Sequence, residues 1–162
     1  MLPALRAGNG GYIVNISSLA DIVGLPFSGL YCASKFALEG MSESLRLETR
    51  PFGIHVVLVE PGDFRTQITA KRCVAEASQN SAYRTAFDKF KRKQDQDEAA
   101  EPTPEPVARQ VDRILSHRRP KARDTVGMLG QRIVAPLKRL LPRWWRGLRR
   151  SFRATNILLQ QQ

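Results

Sequence analysis

Tyr31 and Lys35 stand four residues apart in the run GLYCASKFALEG. On a helix this spacing puts them one turn apart on the same face. A free tyrosine, with a pKa of about 10, is a poor acid/base at neutral pH. A lysine ammonium one turn away favours the phenolate, so such a tyrosine could donate a proton to a carbonyl or take one from an alcohol. Ser18 lies thirteen residues before Tyr31. A serine hydroxyl there could hold the same substrate oxygen and steady its developing charge. Ser17 beside it is a rival. Alone, Y-x-x-x-K is also a common solvated helix pair.

The elements that must position these groups are legible around them. Tyr12 to Ser17 (YIVNIS) is a short β-branched strand. A loop with Gly24, Pro26 and Gly29 follows. From about Leu30 to Thr49 the apolar positions Phe36, Leu38, Met41, Leu45 and Leu47 predict a helix, ended by Pro51 and Gly53. Ile54 to Glu60 (IHVVLVE) is a nearly continuous apolar strand of the kind buried in a parallel sheet. Strand, helix and strand over this distance form a βαβ unit, which winds right-handed. Ser18, Tyr31, Lys35 and the stretch from Pro61 to Thr66 then converge on one sheet edge, where open α/β sheets bind ligands.

The flanks are less regular. Met1 to Arg6 reads as the tail of a helix, stopped by the turn from Gly8 to Gly11. Residues 66–77 and 81–99 read as helical, QDQDEAAEPTPEP as a charged Pro-rich loop, and Pro104 to His117 as a further helix. DTVG reads as a short strand, and residues 128–153 as two amphipathic helices split at Pro142. The fold class is therefore α/β. The expected organisation is one α/β domain over residues 1–127 and a basic helical segment over 128–162.

The chain has 162 residues and a formal net charge of +11. Residues 118–153 hold twelve of the 26 Lys/Arg against one acidic residue, Asp124, so that segment alone carries +11. The remainder has fourteen of each sign and balances. The basicity therefore belongs to the tail and does not mark a nucleic-acid fold. Two cysteines, Cys32 and Cys73, are too few for a disulfide scaffold and suit a reducing, cytoplasmic compartment. Cys32 reads as a packed thiol, His55 as structural, and Asp63 and Arg65 as surface or loop residues. His55 and His117 lie far apart in sequence, and no cluster has metal-ligand spacing. A redox role then points to an organic hydride carrier.

YIVNISS, YCASKFALEGMSESLRLE and IHVVLVEPGDFRT, in this order, resemble the second half of a short-chain dehydrogenase/reductase. GLPFSGLYCASKFALEG is similar to its 17-beta-hydroxysteroid and retinol dehydrogenase-like branch. The resemblance implies the C-terminal half of a Rossmann-like doubly wound parallel sheet with C-terminal amphipathic helices. It implies Ser18, Tyr31 and Lys35 as the catalytic trio, with Tyr31 and Lys35 also at the cofactor and Lys35 on the nicotinamide ribose. Pro61, Gly62, Phe64 and Thr66 would line the nicotinamide, and Ser18, Leu19, Leu25 and Pro26 would flank the substrate. The implied cofactor is NAD or NADP. The implied substrate is a small-molecule secondary alcohol or ketone, lipid-like or steroid-like.

No Gly-rich phosphate-binding turn precedes Tyr12, and the family's Asn-Asn-Ala-Gly stretch and catalytic Asn are missing. The expectation is a fragment, or a reading frame started at an internal Met, whose full-length form is a homodimer. The competing reading is a non-catalytic remnant acting as a basic membrane- or partner-binding module. In LPRWWRGLRRSF the large apolar residues fall near one helical face and the arginines mainly on the other. Residues 139–153 then either lie on an anionic membrane surface or pack their apolar face near the substrate pocket.

Overall fold

The computed structural model describes residues 1–19 and 24–128, the side chains of residues 77 and 78 aside. Its elements are α1 (Leu2–Ala7), β1 (Gly11–Ile16), α2 (Gly29–Thr49), β2 (Ile54–Pro61), α3 (Arg84–Ala100), α4 (Glu105–Ser116) and β3 (Arg123–Val126). The three strands form one parallel sheet in the order β1-β2-β3.

β2 is central and apolar, so both of its faces must be covered. Ile54 and Val56 join Ile13 on one face, under Leu2, Leu5 and Leu45 of α1 and α2. Val57 and Val59 join Ile114 on the other, with Val107 and Val111 of α4 and Val126 of β3. Helices on both faces of a parallel sheet make the α/β architecture. Each fully buried Val or Ile contributes about 1.5–3 kcal/mol relative to exposure.

The turn at the N-terminal sheet edge needs glycine. A Cβ on Gly10 would meet the Gly53 carbonyl oxygen at 2.6 Å, and Gly10 itself sits at φ 122°. Gly53 ends the short 3-10 turn Arg50–Phe52 in the left-handed region. Gly11 N–H then donates to Gly53 O, which starts β1 and β2 level.

α2 is clamped to the sheet by charge. Arg46 Nε donates to Val56 O at 2.9 Å and its Nη2 to Ala122 O at 2.8 Å. Arg123 of β3 reaches Glu39 and Glu43 of α2, both at 2.6 Å, and Glu60 of β2 at 3.3 Å. Glu60 is fully buried, and Thr125 donates to its other oxygen at 3.1 Å. Burial works against the Arg123 charge, but the bonds to Glu43 and Glu39 prevail and hold it above the usual arginine range.

Two expectations are corrected. Residues 66–77 form no α-helix; turns lead into a 3-10 segment, Glu76–Asn80. Thr66 and Thr69 direct their hydroxyls to Glu98 instead, and the Thr66 hydroxyl also accepts the Ile68 N–H. Such local bonds compete with helix formation. The helix expected over 81–99 is α3, which runs through QDQDEAA to Ala100, so the loop reading of that overlapping stretch gives way to it. Lys91–Asp95 and Lys93–Asp97 pairs, one turn apart, carry the helix through it. The expected strand at DTVG is present one residue earlier, as β3. The two helices expected over 128–153 lie outside the described residues, Met128 excepted. Among the described residues, no helix is long and apolar enough to cross a membrane, and none group as metal ligands.

Candidate active site

Tyr31 is the third residue of α2, and Lys35 follows one turn later. Both are half-buried at the C-terminal end of β1. Lys35 Nζ donates to the carbonyl of Ile16, the last residue of β1, at 2.9 Å. It lies 5.7 Å from the centroid of the Tyr31 ring. Burial pushes the Lys35 ammonium below the usual lysine range. The helix start is thus tied to the strand end by the side chain whose charge matters. That carbonyl partner was not visible in the sequence, because backbone acceptors carry no residue signature.

Ser18 stands two residues beyond β1 and is half-buried. Its rival Ser17 is buried at 3% exposure, its N–H donating to Val59 O at 2.7 Å. Ser17 thus belongs to the sheet's extension, while Ser18 sits at its rim.

Leu25 and Pro26 lie in the loop into α2, half-buried as is Leu19. Leu25 N–H donates to Cys32 Sγ at 3.4 Å, and Cys32 is buried, a packed thiol as expected. Phe27 takes the left-handed φ of 54°. Its ring meets Phe87 and Phe90 of α3, with centroids 5.7 and 5.6 Å away. α3 therefore meets the chain at Phe27, directly after the expected substrate residues Leu25 and Pro26. His55 stacks on Tyr12 at the opposite end of the strands, which fits a structural role.

Pro61 ends β2, and Gly62 N–H donates to Val126 O at 2.7 Å. Beyond this turn Asp63 and Phe64 line a cleft of about 430 Å³ with Pro102, Arg109, Thr125 and Val126. Thr66 is bonded elsewhere. Its N–H and its hydroxyl donate to Glu98 Oε1 at 3.1 and 3.0 Å, and the Thr69 hydroxyl donates to Glu98 Oε2. Burial opposes the Glu98 charge, but the bonds from Thr69 and Thr66 outweigh it and hold the carboxyl below the usual glutamate range. Glu98 is the residue that sequence reading missed. It sits in a run of like charges thirty-two positions from Thr66, with nothing local to distinguish it.

The site thus has two parts at the C-terminal sheet edge: the corner of Ser18, Tyr31 and Lys35, and the strap from Pro61 to Thr69. The residues present suit the nicotinamide end of a dinucleotide. A lysine ammonium has three protons; one is on Ile16 O.

Known proteins agree with this architecture. The short chain dehydrogenase family matches residues 1–77. A 3-ketodihydrosphingosine reductase from Bacteroides thetaiotaomicron is 39% identical over 143 residues, 88% of this chain and 53% of that protein. A short-chain dehydrogenase structure from Streptomyces avermitilis superposes with a TM-score of 0.62 at 30% identity, covering 86% of this chain and 50% of that one. Another, from Burkholderia cenocepacia in complex with NADP, gives a TM-score of 0.52 at 26% identity, over 84% and 46%. The chain spans about half the length of these relatives. With its βαβ unit, its Tyr-Lys pair and its Pro-Gly turn in order, this chain belongs to the short-chain dehydrogenase family.

Proposed function

We propose that this chain carries the catalytic half of a nicotinamide-dependent oxidoreductase acting on a secondary alcohol or ketone. The observation that carries this reading is the Lys35 bridge, from the end of β1 to the flank of the Tyr31 ring. When bound, NAD or NADP would supply or accept the hydride at the substrate carbon. In the reducing direction, the Tyr31 hydroxyl gives its proton to the carbonyl oxygen as that carbon is reduced. Lys35 keeps a positive charge beside the ring and two donors for ribose hydroxyls. Ser18, at the rim, orients the carbonyl oxygen. Pro61, Gly62, Phe64 and Thr66 form the nicotinamide wall.

A lipid-like substrate is supported by the mouth. Leu19, Leu25 and Pro26 are half-buried, and Phe27, next in the chain after Pro26, meets Phe87 and Phe90 of α3. The ketone lipid named in the Bacteroides relative agrees with that surface. A second copy of the chain is a supported partner. Leu30, Ala33, Ala37, Gly40, Ser44 and Leu47 follow one helical stripe of α2, all exposed. Small residues there allow close helix approach. Peripheral membrane contact through 139–153 rests on the sequence pattern, and flotation with anionic liposomes tests it.

The decisive experiment extends the chain to the length of its relatives and assays ketone reduction by reduced nicotinamide dinucleotide. Tyr31→Phe must abolish turnover while cofactor still binds. Near-normal turnover refutes the reading.

A further inference from the structure

Thr66 has one hydroxyl proton, and its use is fixed. That proton goes to Glu98 Oε1, while Ile68 N–H takes one of the two oxygen lone pairs at 3.3 Å. The Thr66 amide binds the same carboxylate oxygen, so the bond cannot swing away without losing its partner. Thr69 holds the second carboxylate oxygen, which keeps Glu98 from turning. A carboxylate only accepts, so the hydroxyl can only donate toward it. What Thr66 has left for a ligand is a single lone pair, an acceptor.

We propose that Glu98 is a specificity-determining positioning residue, which polarises Thr66 into an acceptor for the carboxamide N–H of nicotinamide. This rests on the reading of Thr66 as part of the nicotinamide wall. It predicts discrimination between two cofactors that differ in one group. The carboxamide of nicotinamide offers N–H donors. The carboxylate of the nicotinic-acid dinucleotide offers none, and meets a lone pair instead. A site that requires a hydrogen-bond donor rejects the analogue that lacks it, since its own buried or fixed polar group is left unpaired.

The α3 surface around Glu98 allows a clean variant. Glu98 is half-buried and stands outside both apolar clusters, so its loss leaves the core untouched. The chain extended to the length of its relatives, wild type and variant, is titrated with the reduced nicotinamide dinucleotide and with its nicotinic-acid counterpart. The wild type favours the amide form. Glu98→Ala frees the Thr66 proton to turn toward the ligand, and the preference narrows by about tenfold, the scale of one charge-assisted hydrogen bond. Glu98→Gln keeps an Oε1 acceptor for Thr66 and retains the preference. Asp97→Ala, on the neighbouring position of α3, retains it too. An unchanged ratio in Glu98→Ala, or equal narrowing in Asp97→Ala, overturns the proposal.

A second arm reads the latch without cofactor. Hydrogen exchange at the Thr66 amide accelerates about tenfold in Glu98→Ala and not in Asp97→Ala. Unchanged exchange overturns the latch itself. If the wild type binds neither dinucleotide, the hydride-transfer reading falls, and exchange alone decides whether Glu98 holds Thr66.

Discussion

The corner and the strap sit on one sheet edge but are built by different means. The corner is made of regular elements. Tyr31 and Lys35 are placed by helical spacing, and the helix is placed by Leu45, Arg46 and the Arg123 ion network against the sheet. The strap is an irregular segment, placed by a few long-range bonds: Gly62 and Arg65 N–H to the Val126 and Pro102 carbonyls, and Thr66 and Thr69 to Glu98 of α3. Regular elements fix a group by periodicity and many contacts. An irregular segment depends on a few long-range bonds, so it is softer and more sensitive to single substitutions.

The sharpest break of this comparison is chemical. Tyr31→Phe in a chain extended to its relatives' length removes the transferable proton without moving α2. It lowers kcat roughly 10³-fold and leaves the melting temperature unchanged. A large drop in melting temperature would show that the corner's geometry depends on the hydroxyl.

Next in size is the scaffold of the corner. Arg123→Met leaves Glu60, fully buried, without its guanidinium partner. Removing one member of a buried ion pair costs about 3 kcal/mol or more. Urea unfolding reads this directly, with Thr125 still donating to Glu60 to soften the loss. A change below about 1 kcal/mol would mean that the apolar contacts of α2 position the corner unaided.

The strap responds on a smaller scale. Glu98→Ala releases Thr66 and Thr69 but touches no core residue, so global stability falls by less than about 1 kcal/mol by urea unfolding. Trypsin cleavage after Arg65, Lys71 or Arg72 speeds up all the same. Equal cleavage rates in both proteins would show that the bond from Arg72 to Gln94 and the Arg65 N–H bond to Pro102 hold the strap without Glu98.

The same contrast explains what the sequence could reveal. The βαβ unit was legible because β2 is apolar on both faces and α2 repeats at helical spacing. Those same elements put Tyr31 and Lys35 one turn apart at the start of α2 and Ser18 just past the end of β1. The strap was not. Residues 66–77 carry enough apolar and charged residues to look helical, and only the folded chain shows that Thr66 and Thr69 bind Glu98. QDQDEAA looked like loop because its charge is dense, yet Lys91 and Lys93 turn two of its acids into helix-stabilising pairs. Interactions across 29 and 32 residues leave no local pattern to read.

The finest test is a titration of the latch. In the folded chain the Glu98 carboxyl ionises below the usual glutamate range, through its bonds from Thr69 and Thr66 and in spite of burial. The unfolded chain therefore binds a proton more readily, and folding favours the ionised form. The latch's contribution is fully present above the ordinary glutamate pKa and is lost as pH falls through the lowered folded value. Carbon-13 NMR of the Glu98 carboxyl must show a midpoint below the ordinary glutamate range. In a Thr66→Val, Thr69→Val double variant both hydroxyl donors go, and the midpoint must move upward. The Tyr31 and Lys35 corner shares no bond with this carboxylate, so its NMR signals stay fixed across the same pH window. A midpoint that ignores the two threonines would detach the strap from Glu98. Signals of the corner that move with it would join two regions that the hydrogen bonds keep apart.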